Sequence, residues 1–356
     1  MNQKLFFALL AVSFILSGAA HYAGWNETVQ FVISAVAIVF VAGFLGKATE
    51  NVAHYAGQRI GGLLNATFGN AAELIIAIFL IREGLFDMVK ASLTGAIIGN
   101  LLLVLGLSLF LGGLKHKIQT FNRTLAGHNG SLMSIAIISL FIPAMFAGTK
   151  AITHEETQLL SFAVAGILIA AYILWLLFSL GTHKRFLADE AHPGETREPE
   201  EEKPAWSRSM SIVALVVATV MVAFVSEWLV GTIHAFTDRF GMSELFVGAF
   251  IIAIIGNAAE HSAAVMLAMK NKIGASVEIA VGSSLQIALF VAPVLVFVSF
   301  LFGNPMDFVF TTIELVAIGV AVIIAKSITQ DGATNWYEGF LLVSVYAILG
   351  VAFFLI

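Results

Sequence analysis

The sequence predicts an all-α integral membrane protein with eleven transmembrane helices: one leading helix and two inverted five-helix repeats. Of its 356 residues, 59% are hydrophobic and 12% are charged, and the mean hydropathy is +0.94. A soluble domain averages about 25% charged residues, so these charges are too few to cover a soluble surface. The composition excludes a cytosolic enzyme and a disordered chain, and the net charge of -5 offers no basic surface for nucleic acid.

Apolar runs of helix length, rather than alternating strand patterns, fill the chain. A transmembrane helix needs about 20 mostly apolar residues, and eleven such runs are present. They begin near Leu5, Val29, Gly62, Ser92, Ser131, Gln158, Met210, Glu244, Ala275, Phe308 and Gly339. We interpret the first run as a retained helix, although Lys4 and the small residues at 17–20 also fit a signal peptide.

One polar stretch divides the chain. Residues 183–209 contain seven acidic residues, five basic residues and three prolines. They predict an acidic cytoplasmic linker between a first repeat over 26–182 and a second over 210–356, with the leading helix at 1–25. A calcium-sensing role is the alternative, but we favour a solvated connection because the stretch contains no EF-hand loop.

The basic residues predict how the chain lies in the membrane. With the N-terminus inside, fourteen of the 18 basic residues fall in cytoplasmic segments and four fall outside. This bias follows the positive-inside rule. It predicts a multi-pass protein of the cell membrane with a cytoplasmic N-terminus and an external C-terminus, and a homo-oligomer is compatible with the sequence.

A five-residue motif occurs twice. Gly69–Glu73 is repeated unchanged as Gly256–Glu260, and the same offset pairs Gly95 with Gly282 in two further polar segments. The two copies fall in the third and eighth predicted spans, so they run through the bilayer in opposite directions. Inverted repeats of this kind are typical of secondary transporters, whose shared site lies near the membrane midplane.

The two motif copies contain the residues that we expect to bind a cation. Glu73 and Glu260 lie in apolar sequence, and Asn70 and Asn257 precede them by three residues, on the same helix face. Ionisable groups at such depth are costly and functional by default. We expect each Gly-Asn pair to weaken its helix and free backbone carbonyls. Two carboxylates, two amide oxygens and these carbonyls form the all-oxygen shell that calcium prefers. The alternative, that each glutamate merely bonds a neighbouring helix, explains a matched pair poorly.

A charge argument predicts the mechanism. Two ionised carboxylates give the empty site a charge of about −2, which is expensive to occlude in a low-dielectric interior. One calcium ion neutralises that charge, and so do two protons. We therefore expect a secondary active antiporter that exchanges cytosolic calcium for protons by alternating access, with calcium, protons and the lipid bilayer as partners and no cofactor.

Other polar residues in the spans are weaker candidates. The candidate oxygen ligands are Gln286, Ser283, Ser284 and Asn100, for which interhelical hydrogen bonding is the alternative role. The candidate proton relays are Glu50, Glu227 and His261. A lone histidine is more often a satisfied hydrogen-bonding residue, and that is the interpretation we favour for His261.

At these residues the sequence resembles the cation/proton exchanger family, the calcium/proton antiporters of the calcium/cation antiporter superfamily. Gly69–Glu73 and Gly256–His261 resemble the two signature repeats of that family. Val281–Ile287 and Gly99–Leu102 resemble its polar motifs. The resemblance covers nearly the whole chain and implies calcium export from the cytosol driven by the proton gradient, with the two glutamates binding calcium.

Three alternatives stay open at this point. A sodium/calcium or manganese/proton exchanger would share the fold, although the Gly-Thr-Ser-x-Pro-Glu repeat usual in sodium/calcium exchangers is absent. An intramembrane hydrolase is disfavoured, because the segment 154–158 lacks the second histidine of a zinc protease helix and no Gly-x-Ser-Gly motif appears. A passive channel would need repeated pore rings rather than an inverted pair.

Overall fold

Long helices succeed one another along the chain in the computed structural model, which describes residues 3–149, 152–182 and 204–356. The helices before the linker are α1 (Gln3–Tyr22), α2 (Glu27–Phe68), α3 (Ala71–Arg82), α4 (Phe86–Ile98), α5 (Leu105–His116), α6 (Arg123–Gly148) and α7 (His154–Leu177). A π-helical turn over Phe178–Thr182 extends α7.

The helices after the linker are α8 (Arg208–Val230), α9 (Ile233–Phe240), α10 (Glu244–Phe246), α11 (Ala253–Met269), α12 (Ile273–Gln286), α13 (Ala292–Leu301), α14 (Thr312–Thr329) and α15 (Trp336–Phe354). Three π-helical turns, one before the linker and two after it, each join two helices into one continuous span. Gly99–Val104 joins α4 to α5, Val247–Ile252 joins α10 to α11, and Ile287–Val291 joins α12 to α13. Such bulges are frequent at functional sites, and all three lie in or beside the polar motifs.

Within the described residues, ten helices are long and apolar enough to cross a membrane, against the eleven predicted. The difference lies in the span predicted to begin near Gly62. There α2 bends at Gly57, whose backbone (φ 77°, ψ 172°) is not helical, and α2 ends at Phe68 before α3 begins at Ala71. Glycine adopts a positive φ without the steric cost of a Cβ. The third span is therefore two short helical pieces, and the inverted arrangement of the repeats remains a prediction.

A two-stranded antiparallel sheet is the one departure from an all-α fold among the described residues. It joins β1 (Ile118–Thr120) to β2 (Ala333–Asn335), with Gln119 opposite Thr334. The side chain of Gln119 donates to the carbonyl of Ala268 (3.0 Å), near the end of α11. The sheet thus ties the ends of α5 and α11 to the start of α15.

Most of the predicted acidic linker, residues 183–203, lies outside the described residues. Its described end is anchored through Trp206, which packs against Phe7 of α1 and Phe44 of α2. Its backbone amide donates to Asn51 Oδ1 (3.4 Å), and its carbonyl accepts from Tyr55 Oη (2.7 Å). The chain therefore enters α8 from a fixed point on α2.

Local sequence explains where several helices begin. Helices α7, α14 and α15 start at capping boxes formed by Thr153 with Glu156, Thr311 with Glu314, and Asn335 with Glu338. Each box satisfies backbone amides at the helix start. In the interior, α3 packs against α8, α11 packs against α2, and α3 and α11 contact each other. That last contact brings the two motif copies together.

Candidate cation site

The two motif copies meet where α3 and α11 cross, and each glutamate lies against the glycine of the other copy. A Cβ atom placed on Gly256 would lie 3.4 Å from Cγ and 3.6 Å from Oε1 of Glu73. A Cβ atom placed on Gly69 would lie 3.6 Å from Oε1 of Glu260. The absence of side chains on these two glycines therefore leaves the space in which the carboxylates come together.

Both carboxylates have unused hydrogen-bonding capacity. Oε2 of Glu73 and Oε2 of Glu260 are buried without a hydrogen-bond partner among the described residues. The two side chains are close enough for a charge on one to affect the other. Two like charges in a shared, poorly hydrated site resist ionising together, so a cation or protons would stabilise this arrangement.

The amide of Asn70 is held by the second half of the chain. Asn70 is fully buried, its Nδ2 donates to Gln286 Oε1 (2.5 Å), and its Oδ1 accepts from Ser283 Oγ (3.3 Å). Ser283 also lies close to the carboxylate of Glu260. Three of the predicted ligands, Asn70, Gln286 and Ser283, therefore form one hydrogen-bonded network next to a site glutamate. Ser284 does not join it, since its hydroxyl donates to the Ala280 carbonyl of its own helix (2.9 Å).

The amide of Asn257 is held differently. Its Nδ2 donates to the Ala253 carbonyl within α11 (3.0 Å), and its buried Oδ1 has no partner among the described residues. Asn100, in the π-helical junction after α4, likewise has a buried Nδ2 without a described partner. The site thus has one amide fixed across the two halves and one whose oxygen is available to a ligand.

The identical motifs also differ in backbone conformation. Gly69 and Asn70 lie in the break between α2 and α3, whereas Gly256 and Asn257 lie inside the continuous helix α11. The sequence led us to expect both Gly-Asn pairs to weaken their helices. The structure shows that weakening at the first copy only.

A small cavity adjoins the carboxylate of Glu73. It measures about 20 Å³, and its polar lining residues are Glu73, Ser92 and Asn257, with Gly256 and apolar side chains completing the wall. A space of this size accommodates about one water-sized occupant. Ser92 was not among the predicted ligands. Ser92 lies four residues before Ala96, which places it on the same helix face as part of the polar segment Gly95–Asn100. That spacing is the sequence signal that would have identified it.

The candidate relays lie at different distances from this centre. His261 follows Glu260, and its Nε2 is buried without a hydrogen-bond partner among the described residues. Glu50 is exposed on α2. Glu227 forms an ion pair with Arg82 (3.3 Å) at the far end of α3, about 13 Å along the helix from Glu73. The structure therefore does not bring Glu227 into contact with the carboxylate pair.

The donor set consists of two carboxylates and neutral oxygens rather than a dense acidic cluster. Within residues 3–149, 152–182 and 204–356, no three His, Asp or Glu side chains converge as a metal-binding group. Few charged ligands favour weak, reversible binding of a cation. The fold and this site together define a multi-span membrane protein with a candidate cation site inside its helices.

Comparison with known proteins identifies the family. The sequence profile described as "Sodium/calcium exchanger protein" matches residues 26–181 and 210–355. The chain belongs to this family, and the resemblance to its cation/proton exchangers noted from the motifs is confirmed.

Relatives match the chain from end to end. The Ca(2+)/H(+) antiporter ChaA of Bacillus subtilis (strain 168) is 47% identical over 99% of this chain and 100% of its own length. The native structure of YfkE is 43% identical, has a TM-score of 0.85 and covers 99% of this chain and 100% of its own. The crystal structure of the H+/Ca2+ exchanger CAX has a TM-score of 0.69, and with 13% identity it supports the fold alone; it covers 99% of this chain and 92% of its own.

Proposed function

We propose that this protein is a secondary active antiporter that exchanges calcium for protons across a membrane. The observation that carries the proposal is the buried pair Glu73 and Glu260, each with an unpartnered oxygen, in a chain similar along its whole length to a Ca(2+)/H(+) antiporter. The relatives are transporters, and we do not assign this chain an enzymatic activity or a cofactor.

The carboxylate pair accounts for exchange rather than one-way transport. An empty site with both glutamates ionised is costly to occlude in the membrane interior. A calcium ion bridging the two carboxylates removes that cost, and so does a proton on each. Only the loaded forms then pass easily between inward-open and outward-open states, which couples calcium movement to proton movement in the opposite direction.

We propose the following ligand set for calcium: Glu73, Glu260, Asn70, Asn257, Gln286, Ser283 and Asn100. Asn257 Oδ1 supports this set because it is buried and without a described partner. Asn70 is supported by the network that orients its Oδ1 beside Ser283. Ser284 is retained only as a neighbour of the site. Glu50, Glu227 and His261 remain proposed relays.

The membrane arrangement is also part of the proposal. Eleven spans, with the third broken at Gly69 and Asn70, would place the two motif copies in opposite directions within two inverted five-helix repeats. The bias of basic residues supports a cytoplasmic N-terminus, an external C-terminus and a location in the cell membrane. Calcium would then leave the cytosol as protons enter.

Reconstitution tests the proposal directly. The purified protein is placed in proteoliposomes that contain a pH-sensitive dye, and a calcium gradient is imposed without sodium. We expect calcium-dependent proton movement, which Glu73→Gln and Glu260→Gln should each reduce to the level of empty vesicles. Glu155→Gln is the matched control, because Glu155 is exposed in the first turn of α7.

Three outcomes would contradict parts of the proposal. Near-normal exchange by either site variant would remove that glutamate from the site. A requirement for sodium would favour a sodium/calcium exchanger. Proton movement driven by manganese but not by calcium would favour the manganese/proton alternative, which uses the same oxygen ligands.

A further inference from the structure

Gly256 occupies a special place beside the carboxylate of Glu73. Apart from the backbone of α11 itself, the three heavy atoms nearest to a Cβ placed on Gly256 all belong to Glu73: Cγ at 3.4 Å, Oε1 at 3.6 Å and Cδ at 3.8 Å. No backbone atom is among them. The bare backbone of α11 at this point therefore faces the side chain of a single proposed ligand.

The same glycine lines the cavity of about 20 Å³ next to Glu73. The cavity lies among α3, α4, α11 and the junction Ile287–Val291, and Oε2 of Glu73 has no described hydrogen-bond partner. The carboxylate consequently has free space beside it and no bond that fixes Oε2. A methyl group at position 256 would occupy part of that space and lie in van der Waals contact with Glu73.

We infer that Gly256 determines the size of the cation that the site accepts, by leaving the room in which Glu73 adjusts around a large divalent ion. This inference rests on the proposed function. Calcium binds six to eight oxygens at about 2.3–2.6 Å in flexible geometry, whereas smaller cations such as magnesium demand six ligands at shorter distance. A methyl group at position 256 would limit the movement of the Glu73 side chain and would take up volume that a water ligand could occupy. Both effects disfavour the larger ion, which needs more ligands.

The equivalent glycine of the first motif copy cannot serve this test. A Cβ on Gly69 would lie 2.5 Å from the carbonyl oxygen of Asn65, so alanine there would disturb the break between α2 and α3 itself. Gly256, by contrast, lies inside the helix α11, where alanine is the more favourable residue. Gly256→Ala is therefore expected to fold at least as well as the wild type.

The experiment compares Gly256→Ala with Gly127→Ala in the full-length protein. Gly127 lies in α6, and a Cβ there would have no neighbour within 4 Å, so this control changes glycine to alanine in a helix without touching Glu73. Apparent dissociation constants for calcium and for the smaller manganese ion are measured from the rise in unfolding temperature with metal concentration. The calcium and manganese dependence of proton movement in proteoliposomes is measured in parallel.

We expect Gly256→Ala to weaken calcium binding about tenfold, the low end of what one methyl group is worth in a binding pocket, and to weaken manganese binding by less than about threefold. Gly127→Ala should keep the wild-type ratio. An unchanged calcium-to-manganese ratio in Gly256→Ala, the same change in Gly127→Ala, or failure of Gly256→Ala to fold without metal would overturn the inference. If the wild type itself moves no protons with calcium, the proposed function fails, whatever the variant binds.

Discussion

The side chain of Gln286, itself a proposed calcium ligand, should also matter because it holds Asn70 in place. Asn70 is fully buried, and its Nδ2 donates to Gln286 Oε1. Gln286→Leu keeps a side chain of similar size but removes that acceptor. Asn70 must then leave its donor unpaired or turn its amide and lose the position in which Oδ1 accepts from Ser283.

The burial of Asn70 sets the expected size of the change in calcium dependence. Leaving a buried donor unpaired costs about 1–3 kcal/mol, which corresponds to a factor of roughly 5 to 150 in an equilibrium constant. Reorientation of Asn70 would relieve part of this cost and would misplace a proposed ligand oxygen instead. We therefore expect the calcium concentration that gives half-maximal exchange to rise about 5- to 30-fold in Gln286→Leu, with the protein still folded.

Calcium-dependent proton movement in proteoliposomes, measured over a range of calcium concentrations, checks this expectation. Ser284→Ala is the matched control, because the Ser284 hydroxyl donates only to a carbonyl of its own helix, and its half-maximal concentration should stay within about twofold of the wild type. A wild-type calcium dependence in Gln286→Leu would refute the role assigned to the network. Equal damage in Ser284→Ala would show that any polar loss on α12 has the same effect.

Two further predictions concern charged residues outside the carboxylate pair. Arg82→Gln removes an ion pair with Glu227 in which both side chains are about half exposed. The free energy of unfolding should therefore fall by less than about 1 kcal/mol. Denaturant titration in detergent measures this change, and a larger loss would contradict a surface role for the ion pair. Glu314 is 1% exposed and accepts from the amide and hydroxyl of Thr311 (both 2.8 Å) and from Thr94 Oγ1 (3.4 Å). Glu314→Ala should therefore lower the unfolding free energy by about 1–3 kcal/mol, and an unchanged denaturation midpoint would show that these bonds contribute nothing.

The sequence was sufficient to predict the helical class and to select Glu73 and Glu260, which the structure brings close together, for simple physical reasons. Apolar runs of helix length indicate that the chain lies in a lipid bilayer. A carboxylate inside such a run costs so much free energy that it indicates a functional residue. The capping boxes at Thr153 and Thr311 are local sequence features, but the predicted spans begin near Gln158 and Phe308 and do not use them. The break in the third span could not be predicted, since it depends on a positive φ at Gly57, and apolar composition does not report backbone conformation.

Contacts between distant parts of the chain account for most of what the sequence did not predict. Asn70 meets Gln286 across 216 residues, and no local pattern indicates which of several polar residues on α12 it will contact. Sequence treated Ser283 and Ser284 alike, but they point to different partners because neighbours in a helix differ by about 100°. The sheet of β1 and β2 was missed because three residues are too few to show an alternating pattern.

The two motif copies, identical in sequence, differ in how the rest of the chain restrains them, and we therefore expect the two sides of the proposed site to have different roles. Asn70, in the helix break, is fixed from the other half by Ser283 and Gln286. Asn257, inside a continuous helix, keeps a free oxygen beside the cavity and Glu73. A cation entering this site would find one wall already oriented and one wall able to adapt. Substitutions on the rigid wall should therefore act mainly on affinity, and substitutions on the adaptable wall on the choice between cations of different size.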